Sequence, residues 1–458
     1  MNLPEPFIQS LQNLQGFHEE AFTAVHQSGA QITSVRLNPE KLKIKNSTLK
    51  IEAPVPWSSN GYYLKERPSF TLDPLFHAGA YYVQEASSMF LEAALKQTVD
   101  LTKPLRVLDL CAAPGGKSTL IQSVISADSL LVSNEVIKTR VNILAENITK
   151  WGAANVIVTN NDPKDFQRLQ NYFDVIVVDA PCSGSGLFRK DSNAITEWSE
   201  NNVTLCAQRQ QRILADIMPS LKEGGVLIYS TCSYSKQEDE EIADWMIQEC
   251  NVESVQLKVE EQWGIVETVS ENKNAFGYRF YPDKVKGEGF FIAAFKKAGS
   301  AAAPELKTQK AKAKNKQAVT AKEIETVKPF LVNADDFFYL KQNEEVIALP
   351  CHFENDLTSI QSALYIKKAG VKLGTVIRNE LIPDHELAVS CMVNAAVSKM
   401  EIDHATALQY LRRHDIALET AMRGWALITH RQLPIGWVKL MPNRTNNYYP
   451  RDWRILNK

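Results

Sequence analysis

The chain has 458 residues, of which 44% are apolar and 23% are charged, and its formal net charge is −2. A chain of this length exceeds one ordinary hydrophobic core and predicts about two to four structural units. It contains no run of about eighteen apolar residues, which excludes a membrane-spanning helix of ordinary length. Residues 1–20 lack a basic patch followed by an apolar core, so we expect no secretory signal and a cytoplasmic location.

Cysteine spacing and charge distribution narrow the classes further. The seven cysteines form no C-x-x-C pair and no Cys/His cluster with zinc spacing, which predicts reduced thiols and no metal site. The net charge opposes nucleic-acid binding, but two segments are strongly basic. Residues 296–316 hold seven lysines against one acid, and residues 412–458 hold nine Lys or Arg against three acids. A solvated surface and an RNA-binding surface both explain such runs.

The chain order of the predicted elements indicates an α/β architecture. Residues 1–100 are mixed and predict an α+β extension, whereas residues 101–297 alternate short β-branched runs with helical stretches. That alternation is typical of a doubly wound, Rossmann-like sheet. The predicted strands are residues 105–110, 130–133, 156–158, 175–178, 226–229 and 290–294.

An Ala/Lys-rich segment, residues 298–328, separates this region from the carboxyl-terminal part and is predicted to be a linker. Residues 329–458 contain strand-like runs at 345–349 and 426–429 and a helical stretch near 405–413.

A small-residue loop, residues 109–118, follows the first predicted strand of the sheet. Paired glycines there let the backbone approach a ligand at the carboxyl edge of the sheet. Gly116, Lys117 and Ser118 complete a phosphate-binding loop, except that Cys111 occupies the place of its first glycine. The G-x-G-x-x-G pattern of a dinucleotide site is absent.

S-adenosylmethionine fits this loop better because it carries no phosphate. It needs an acid for the ribose hydroxyls and a polar group for the adenine. Glu135 ends the second predicted strand, and Asp162 follows the third. Either acid alone would suit a solvated strand end, but together with the glycine loop they indicate a methyl-donor pocket.

Two cysteines follow the fourth and fifth predicted strands, Cys182 in Asp-Ala-Pro-Cys and Cys232 in Ser-Thr-Cys. Both strands should end at the same crevice, so we expect the two thiols to be neighbours although they are fifty residues apart. Methylation of cytosine carbon 5 requires a thiolate that adds to carbon 6 and a second group that removes the carbon 5 proton. Asp179 would lie near ring nitrogen 3. The pattern leaves open which thiol attacks, and a cysteine after a strand is also a common buried filler.

These motifs resemble the Nol/Nop/Sun RNA 5-methylcytosine methyltransferases, and within that family the bacterial RsmF-type ribosomal RNA enzymes. The likeness covers almost the whole chain and is most specific at residues 109–118, 179–186 and 230–233. It implies that Cys232 is the nucleophile, that Cys182 releases the product and that S-adenosylmethionine is the cofactor. The cofactor-binding positions implied by the resemblance are Cys111, Ala112, Ala113, Pro114, Gly115, Gly116, Lys117, Glu135, Asp162 and Asp179.

The resemblance extends to a PUA-like RNA-binding module in residues 329–458, carried by residues 436–439 and 446–454. Aromatic residues interleaved with arginines suit base stacking and phosphate contact, and equally the closing of a small barrel. Arg36 is a further candidate phosphate contact. Residues 236–240 depart from the family's Pro-Glu-Glu-Asn-Glu; because they open a helix beyond the chemistry, we expect effects on packing only.

With this resemblance we expect a monomeric RNA cytosine-C5 methyltransferase, and the resemblance implies that it acts on 16S ribosomal RNA or the small ribosomal subunit. Transfer RNA is the alternative substrate. Two other classes stay open: a P-loop-like ATPase, which Cys111 opposes, and a catalytically idle RNA-binding assembly factor, which would need neither thiol. The cysteines outside the pair and the glycine loop lack such settings, and we expect them only to pack: Cys206, Cys250, Cys351 and Cys391.

Overall fold

The computed structural model describes residues 3–42, 48–299 and 318–456, and the strands within those ranges form four sheets. The first is a four-stranded antiparallel sheet in the amino-terminal extension, in the order β2-β3-β1-β4. The elements of the extension are α1 (Glu5–Leu11), α2 (Glu19–Gln27), β1 (Ser34–Leu37), β2 (Ile51–Pro54), β3 (Gly61–Leu64), α3 (Pro74–His77), β4 (Tyr81–Val83) and α4 (Leu91–Thr98).

Arg36, on β1, is buried to 1% exposure and does not face solvent. Its guanidinium donates to Gln84 Oε1 at 2.9 Å and to Thr119 Oγ1 at 2.5 Å, and it lies 4.5 Å above the Trp151 ring. Burial lowers the pKa of Arg36 to about 9. The expectation that Arg36 contacts phosphate is therefore wrong: this side chain fastens the extension to the next domain.

The second sheet carries the predicted doubly wound core. Its elements are β5 (Arg106–Asp109), α5 (Gly116–Val124), β6 (Leu130–Asn134), α6 (Lys138–Trp151), β7 (Val156–Thr159), β8 (Phe173–Asp179), α7 (Ser192–Glu197), α8 (Glu200–Ile217), β9 (Leu221–Thr231), α9 (Glu240–Glu249), β10 (Val252–Val255), β11 (Val266–Val269), β12 (Phe276–Phe280) and β13 (Phe290–Lys297). All six predicted strands are confirmed. Strands β7-β6-β5-β8-β9 are parallel, and β13 and β12 continue the sheet antiparallel.

Strand order reverses on either side of β5, so the crevice at its carboxyl end is the expected ligand site. Helices cover both faces, which explains the continuously apolar strands. Along β5, for example, Val107 packs into the core cluster on one face and Leu108 into the cluster on the other. This alternation follows from the two-residue period of a strand.

The region after the linker begins with a small α/β unit that docks on the core. Its elements are α10 (Ala321–Val327), β14 (Phe337–Gln342), β15 (Glu345–Pro350), α11 (Glu354–Ala363), β16 (Ile366–Ala369), β17 (Val371–Ile377), β18 (Glu380–Pro383) and α12 (His385–Val389). Strand β16 leaves this unit and pairs antiparallel with β7, which makes it an edge strand of the doubly wound sheet. Asp356 at the junction accepts from Arg106 Nε and from the Tyr172 hydroxyl, both at 2.5 Å.

The predicted linker is shorter than expected at its carboxyl end. Residues 300–317 lie outside the described residues, but residues 321–327 form α10 and do not belong to an open linker. Thr320 and Glu323 form a capping box, with the Glu323 amide donating to Thr320 Oγ1 at 3.2 Å. Val327 is fully buried.

The last sheet, in the order β19-β20-β21-β22, confirms the strand predicted near residues 426–429 and the helix near 405–413. Its elements are β19 (Lys399–Glu401), α13 (His404–Leu411), β20 (Gly424–His430), β21 (Leu433–Leu440) and β22 (Thr445–Asn447). Among the helices of the described ranges, none combines the length and the apolar character needed to cross a membrane.

Candidate active site

The backbone of the loop between β5 and α5 is fixed by hydrogen bonds from side chains of α6. Gly115 precedes α5 with φ +118°, a left-handed conformation that favours glycine. Arg140 Nη2 donates to the Ala113 carbonyl at 2.6 Å, and Asn147 Nδ2 donates to the Pro114 carbonyl at 2.8 Å. Helix α6 therefore fixes the backbone that would face a ligand.

Lys117 does not occupy the position of a phosphate-binding lysine, because its ammonium group is paired with a carboxylate. Its Nζ lies 2.7 Å from Asp179 Oδ2, and only 12% of the side chain is exposed. Ser118 Oγ donates to Asp109 Oδ2 at 2.6 Å. Burial raises the pKa of Asp109 to about 7. Both the lysine and the hydroxyl that an ATPase would use are thus committed to carboxylates.

Glu135 and Asp162 sit at the ends of the next two parallel strands. The Glu135 side chain is buried, and its Oε1 accepts from the Ile137 amide at 2.9 Å. Its Oε2 lies 3.4 Å from Arg140 Nη1 and accepts no hydrogen bond from any described residue. A buried carboxylate oxygen without a donor fits a ligand hydroxyl, such as that of a ribose.

Asp162 is half exposed at the start of a short 3-10 helix. Its Oδ1 accepts from the Lys164 amide at 3.1 Å, and its Oδ2 lies 3.6 Å from Arg212 Nη1. Its side chain is 42% exposed, so the carboxylate stays accessible to a ligand amino group such as that of adenine. The residues of the pocket therefore fit S-adenosylmethionine.

The two predicted thiols are in contact. Cys182 Sγ and Cys232 Sγ are 3.0 Å apart, at the ends of the neighbouring parallel strands β8 and β9. The Gly186 amide donates to the Cys232 carbonyl at 2.8 Å and ties the two turns together. The hydrogen bond to Cys232, burial and the negative charges of Cys232 and Glu238 raise the pKa of Cys182 well above its usual value. This environment favours the protonated form of Cys182.

Asp179 lies at the end of β8, next to this pair. Its Oδ1 accepts from Ser230 Oγ at 2.9 Å, and its Oδ2 is paired with Lys117. Asp179 on β8 is paired with Ser230 on β9, and Ser230 lies two residues before Cys232. The acid and both cysteines therefore occupy one edge of the sheet, as expected.

The remaining cysteines do not behave alike. Cys206 is buried, in line with the expectation that it packs. Cys351 and Cys391 are exposed, so the same expectation is wrong for them. Cys111 is half-buried in the glycine loop, where burial raises the pKa of its thiol.

Glu238 is a site residue that the sequence pattern did not identify. It is fully buried, and its carboxylate accepts hydrogen bonds from Ser183 and Ser233, the residues that follow the two cysteines. Residue 238 therefore lies against both cysteine turns. Glu238 itself keeps the glutamate of the family pattern, and the expectation that the departure at residues 236–240 affects packing only stays a prediction. The signal was available as an acid two positions before α9, but sequence alone does not tell a buried acid from a surface one.

The two acids that follow Glu238 in sequence, Asp239 and Glu240, are also buried and contact residues near the Cys232 turn. Arg279 forms a bidentate pair with Glu240 and lies 3.2 Å from Asp239 Oδ2. Thr231, which precedes Cys232, donates to Asp239 Oδ1 at 2.7 Å.

The aromatic residues of the tail divide between core and surface. Trp437 and Tyr449 are buried, and Trp437 Nε1 donates to the Asp384 carbonyl at 2.9 Å. Tyr448 is 39% exposed, and Arg451 is exposed. Within residues 3–42, 48–299 and 318–456, no group of three or more His, Cys, Asp or Glu is arranged to hold a metal ion.

We predict that Glu135→Ala weakens S-adenosylmethionine binding by about 10- to 100-fold. Hydrogen bonds to a charged group contribute roughly 1.5–3 kcal/mol, and the variant removes the acceptor for the ribose. Isothermal titration calorimetry with S-adenosylmethionine measures the effect. Asp128→Ala is the control, since that acid is 72% exposed and precedes β6 at the opposite edge of the sheet. Equal affinities for the two variants would contradict the assignment.

Three protein-family descriptions match this chain in succession. The description "N-terminal domain of 16S rRNA methyltransferase RsmF" matches residues 3–86, and "16S rRNA methyltransferase RsmB/F" matches residues 96–296. The description "Methyltransferase RsmF PUA domain" matches residues 397–455. The last match agrees with the PUA-like module expected in the tail.

Relatives and solved structures agree with these matches. The ribosomal RNA small subunit methyltransferase F of Shewanella piezotolerans is 30% identical over 92% of this chain and 90% of its own. The protein of that name from Vibrio parahaemolyticus is 28% identical over 98% and 97%. A methyltransferase homolog from Pyrococcus horikoshii has a TM-score of 0.52 at 27% identity, over 64% of this chain and all of its own.

The structure of NSun6 from Pyrococcus horikoshii with SFG has a TM-score of 0.53 over 65% of this chain and 99% of its own; at 20% identity it supports the fold alone. The matched domains occur in the expected order, and the catalytic one carries the pocket described above. With 30% identity over nearly the full length of both proteins, the chain belongs to the RsmF family of S-adenosylmethionine-dependent 16S rRNA methyltransferases.

Proposed function

We propose that this protein methylates carbon 5 of a cytosine in 16S rRNA through a covalent bond between the Cys232 sulfur and carbon 6. The observation that carries the proposal is the 3.0 Å contact between Cys182 Sγ and Cys232 Sγ beside the methyl-donor pocket. An oxygen or ring nitrogen is nucleophilic enough to be methylated directly, whereas carbon 5 of cytosine needs prior addition of a nucleophile. A second thiol in contact with the first is what such chemistry requires.

The hydrogen bond between the thiols supports the division of roles. The raised pKa of Cys182 favours its protonated form, which supports its assignment as the second thiol and that of Cys232 as the nucleophile. The Cys232 thiolate adds to carbon 6, and electron density moves through the ring to carbon 5 and nitrogen 3. Asp179 is the group we assign to nitrogen 3, where a proton or hydrogen bond stabilises the charge that develops on the ring.

Bound S-adenosylmethionine supplies an electrophilic methyl group, which carbon 5 attacks. Glu135 and Asp162 would hold its ribose and adenine, while residues 111–117 would form the floor of the pocket. Held by these residues, the donor would lie at the same sheet edge as the thiols.

Product release then depends on Cys182. Once the Cys232 sulfur is bonded to carbon 6 it carries no charge, so it no longer opposes loss of the Cys182 proton by charge repulsion. Cys182 can then lose its proton and take up the proton of carbon 5. The electron pair of that C–H bond restores the carbon 5–carbon 6 double bond and expels the Cys232 thiolate. One proton is released per methyl group transferred.

The RNA substrate would be bound by the carboxyl-terminal region. We propose that the PUA domain, residues 397–455, contacts RNA phosphates and bases. The net charge of the whole chain is only −2, so RNA binding needs a local basic surface such as this one. The relatives named above support 16S rRNA over transfer RNA. Transfer RNA stays the alternative substrate, and an assembly factor without catalysis is the alternative that the thiol contact opposes.

We predict opposite phenotypes for the two cysteine variants on small-subunit rRNA labelled with tritium at cytosine carbon 5. With Cys232→Ala, no tritium should be released and the RNA should receive no methyl group, because the sulfur that adds to carbon 6 is missing. Cys182→Ala should accumulate a protein–RNA adduct that survives denaturation, because the carbon 5 proton stays in place. Cys351→Ala, at an exposed thiol outside the site, should match the wild type.

Full methyl transfer by Cys232→Ala would contradict the covalent mechanism. Methyl transfer without tritium release in the wild type would contradict carbon 5 as the acceptor. Faster methylation of transfer RNA than of 16S rRNA or small subunits would favour the alternative substrate.

We predict that Arg444→Gln/Arg451→Gln weakens RNA binding and flattens its dependence on salt. Both side chains are exposed on the PUA domain. The slope of log K against log [salt] is negative, and its magnitude should fall by about 0.7–0.9 for each phosphate that an arginine no longer neutralises. Filter binding of 16S rRNA at several salt concentrations measures the slope. The control is Lys103→Gln/Lys258→Gln, two exposed lysines of the catalytic domain. Identical slopes for the two double variants would remove the tail from the RNA interface.

A further inference from the structure

The turns that carry the two cysteines are joined through one carboxylate. The Ser183 amide donates to Glu238 Oε1 at 2.7 Å, and Ser183 Oγ donates to Glu238 Oε2 at 2.5 Å. Ser233 Oγ donates to the same Oε2 at 2.6 Å. Ser183 and Ser233 directly follow Cys182 and Cys232, so each cysteine is one residue away from a shared anchor.

The anchor itself is rigidly held. Glu238 is fully buried, its carbonyl accepts from the Tyr229 hydroxyl at 2.6 Å, and Gln210 Nε2 donates to its Oε1 at 3.3 Å. The same Gln210 amide donates to the Pro181 carbonyl at 3.1 Å, immediately before Cys182. Because a buried carboxylate loses stability without its donors, the network favours one arrangement of both turns.

Burying this acid is unfavourable, and burial raises the pKa of Glu238. A leucine or glutamine would fill the space without that penalty. The neighbouring acids Asp239 and Glu240 are matched by Arg279, whereas the donors of Glu238 are the turn residues themselves and Gln210. The use of a carboxylate is explained if its two oxygens must collect several donors from two separate strand ends.

We propose that Glu238 is a positioning residue that keeps the Cys182 and Cys232 sulfurs in contact by binding the residue after each of them. It touches neither RNA nor S-adenosylmethionine, and it acts through the geometry of the thiol pair. The catalytic part of this inference rests on the proposed function. The geometric part does not, since it concerns only the distance between two sulfurs.

The distance can be tested without catalysis by phenylarsine oxide. This reagent forms two arsenic–sulfur bonds with adjacent thiols and releases water, and excess 2-mercaptoethanol reverses its bonds to single thiols. The full-length wild type should bind one equivalent in the presence of 2-mercaptoethanol, as measured by native mass spectrometry. Cys182→Ala and Cys232→Ala should not bind it.

The test variant is Glu238→Gln, and the matched control is Glu241→Gln, an exposed acid three positions along. Glu238→Gln should lower the affinity for phenylarsine oxide and the kcat for methyl transfer, each by about tenfold or more, as expected when charge-assisted hydrogen bonds are removed. The KM for RNA and the affinity for S-adenosylmethionine should not change. The control should match the wild type in all four measurements.

A second variant keeps the carboxylate and removes hydroxyl donors. Ser183→Ala/Ser233→Ala should reproduce both losses, with S-adenosylmethionine binding again unchanged as a measure of correct folding. Wild-type arsenical affinity in Glu238→Gln and in the serine double variant would overturn the inference. So would loss of S-adenosylmethionine binding in both, because Glu238 would then only support the fold. Methyl transfer by Cys232→Ala would refute the proposed function while leaving the arsenical result valid.

Discussion

The parallel pairing of β8 with β9 is the constraint from which the site follows. Its register sets Asp179 opposite Ser230, so the turns that leave both strands begin at the same height on the sheet edge. Cys182 lies three residues after the end of β8 and Cys232 directly after the end of β9, so both thiols lie close to that edge. The pocket for the methyl donor uses the same geometry at β5, β6 and β7, where the glycine loop, Glu135 and Asp162 follow the strand ends. A fold that aligns five carboxyl ends brings these residues to one edge, and contacts between the loops, such as those of Lys117 with Asp179 and of Ser183 with Glu238, then hold them there.

The unit after the linker is part of this arrangement rather than an appendage. Strand β16 extends the catalytic sheet beyond β7, and the Tyr365 backbone before it holds the loop that leads to Asp162. The Asn161 side chain bonds both polar groups of that backbone, donating to the Tyr365 carbonyl at 3.0 Å and accepting from the Tyr365 amide at 2.8 Å. The loop that carries Asp162 is therefore held jointly by the doubly wound domain and the carboxyl-terminal region. Arg36 plays a comparable part on the other side, between the extension and α5.

Much of the core was predictable because its signals are local. Apolar β-branched runs identify the parallel strands, and small or acidic residues directly after them identify the edge that binds ligands, which is why Cys182, Cys232 and Glu135 were found. Arg36, Glu238 and β16 were not, and they share a reason. Arginine and glutamate are normally surface residues, and only a tertiary partner distant in sequence shows that these two are buried. A four-residue strand that joins another domain's sheet has no local signature of its partner.

The central claim is that the Cys232 sulfur bonds to the cytosine while Cys182 stands beside it. The most direct measurement uses 16S rRNA that carries 5-fluorocytidine, because fluorine at carbon 5 cannot be removed as a proton and the adduct is trapped in the wild-type enzyme. Digestion and mass spectrometry of the complex then locate the modified peptide. We predict a methylated fluorocytidine attached to Cys232. Attachment to Cys182, or methyl transfer without any covalent complex, would contradict the account.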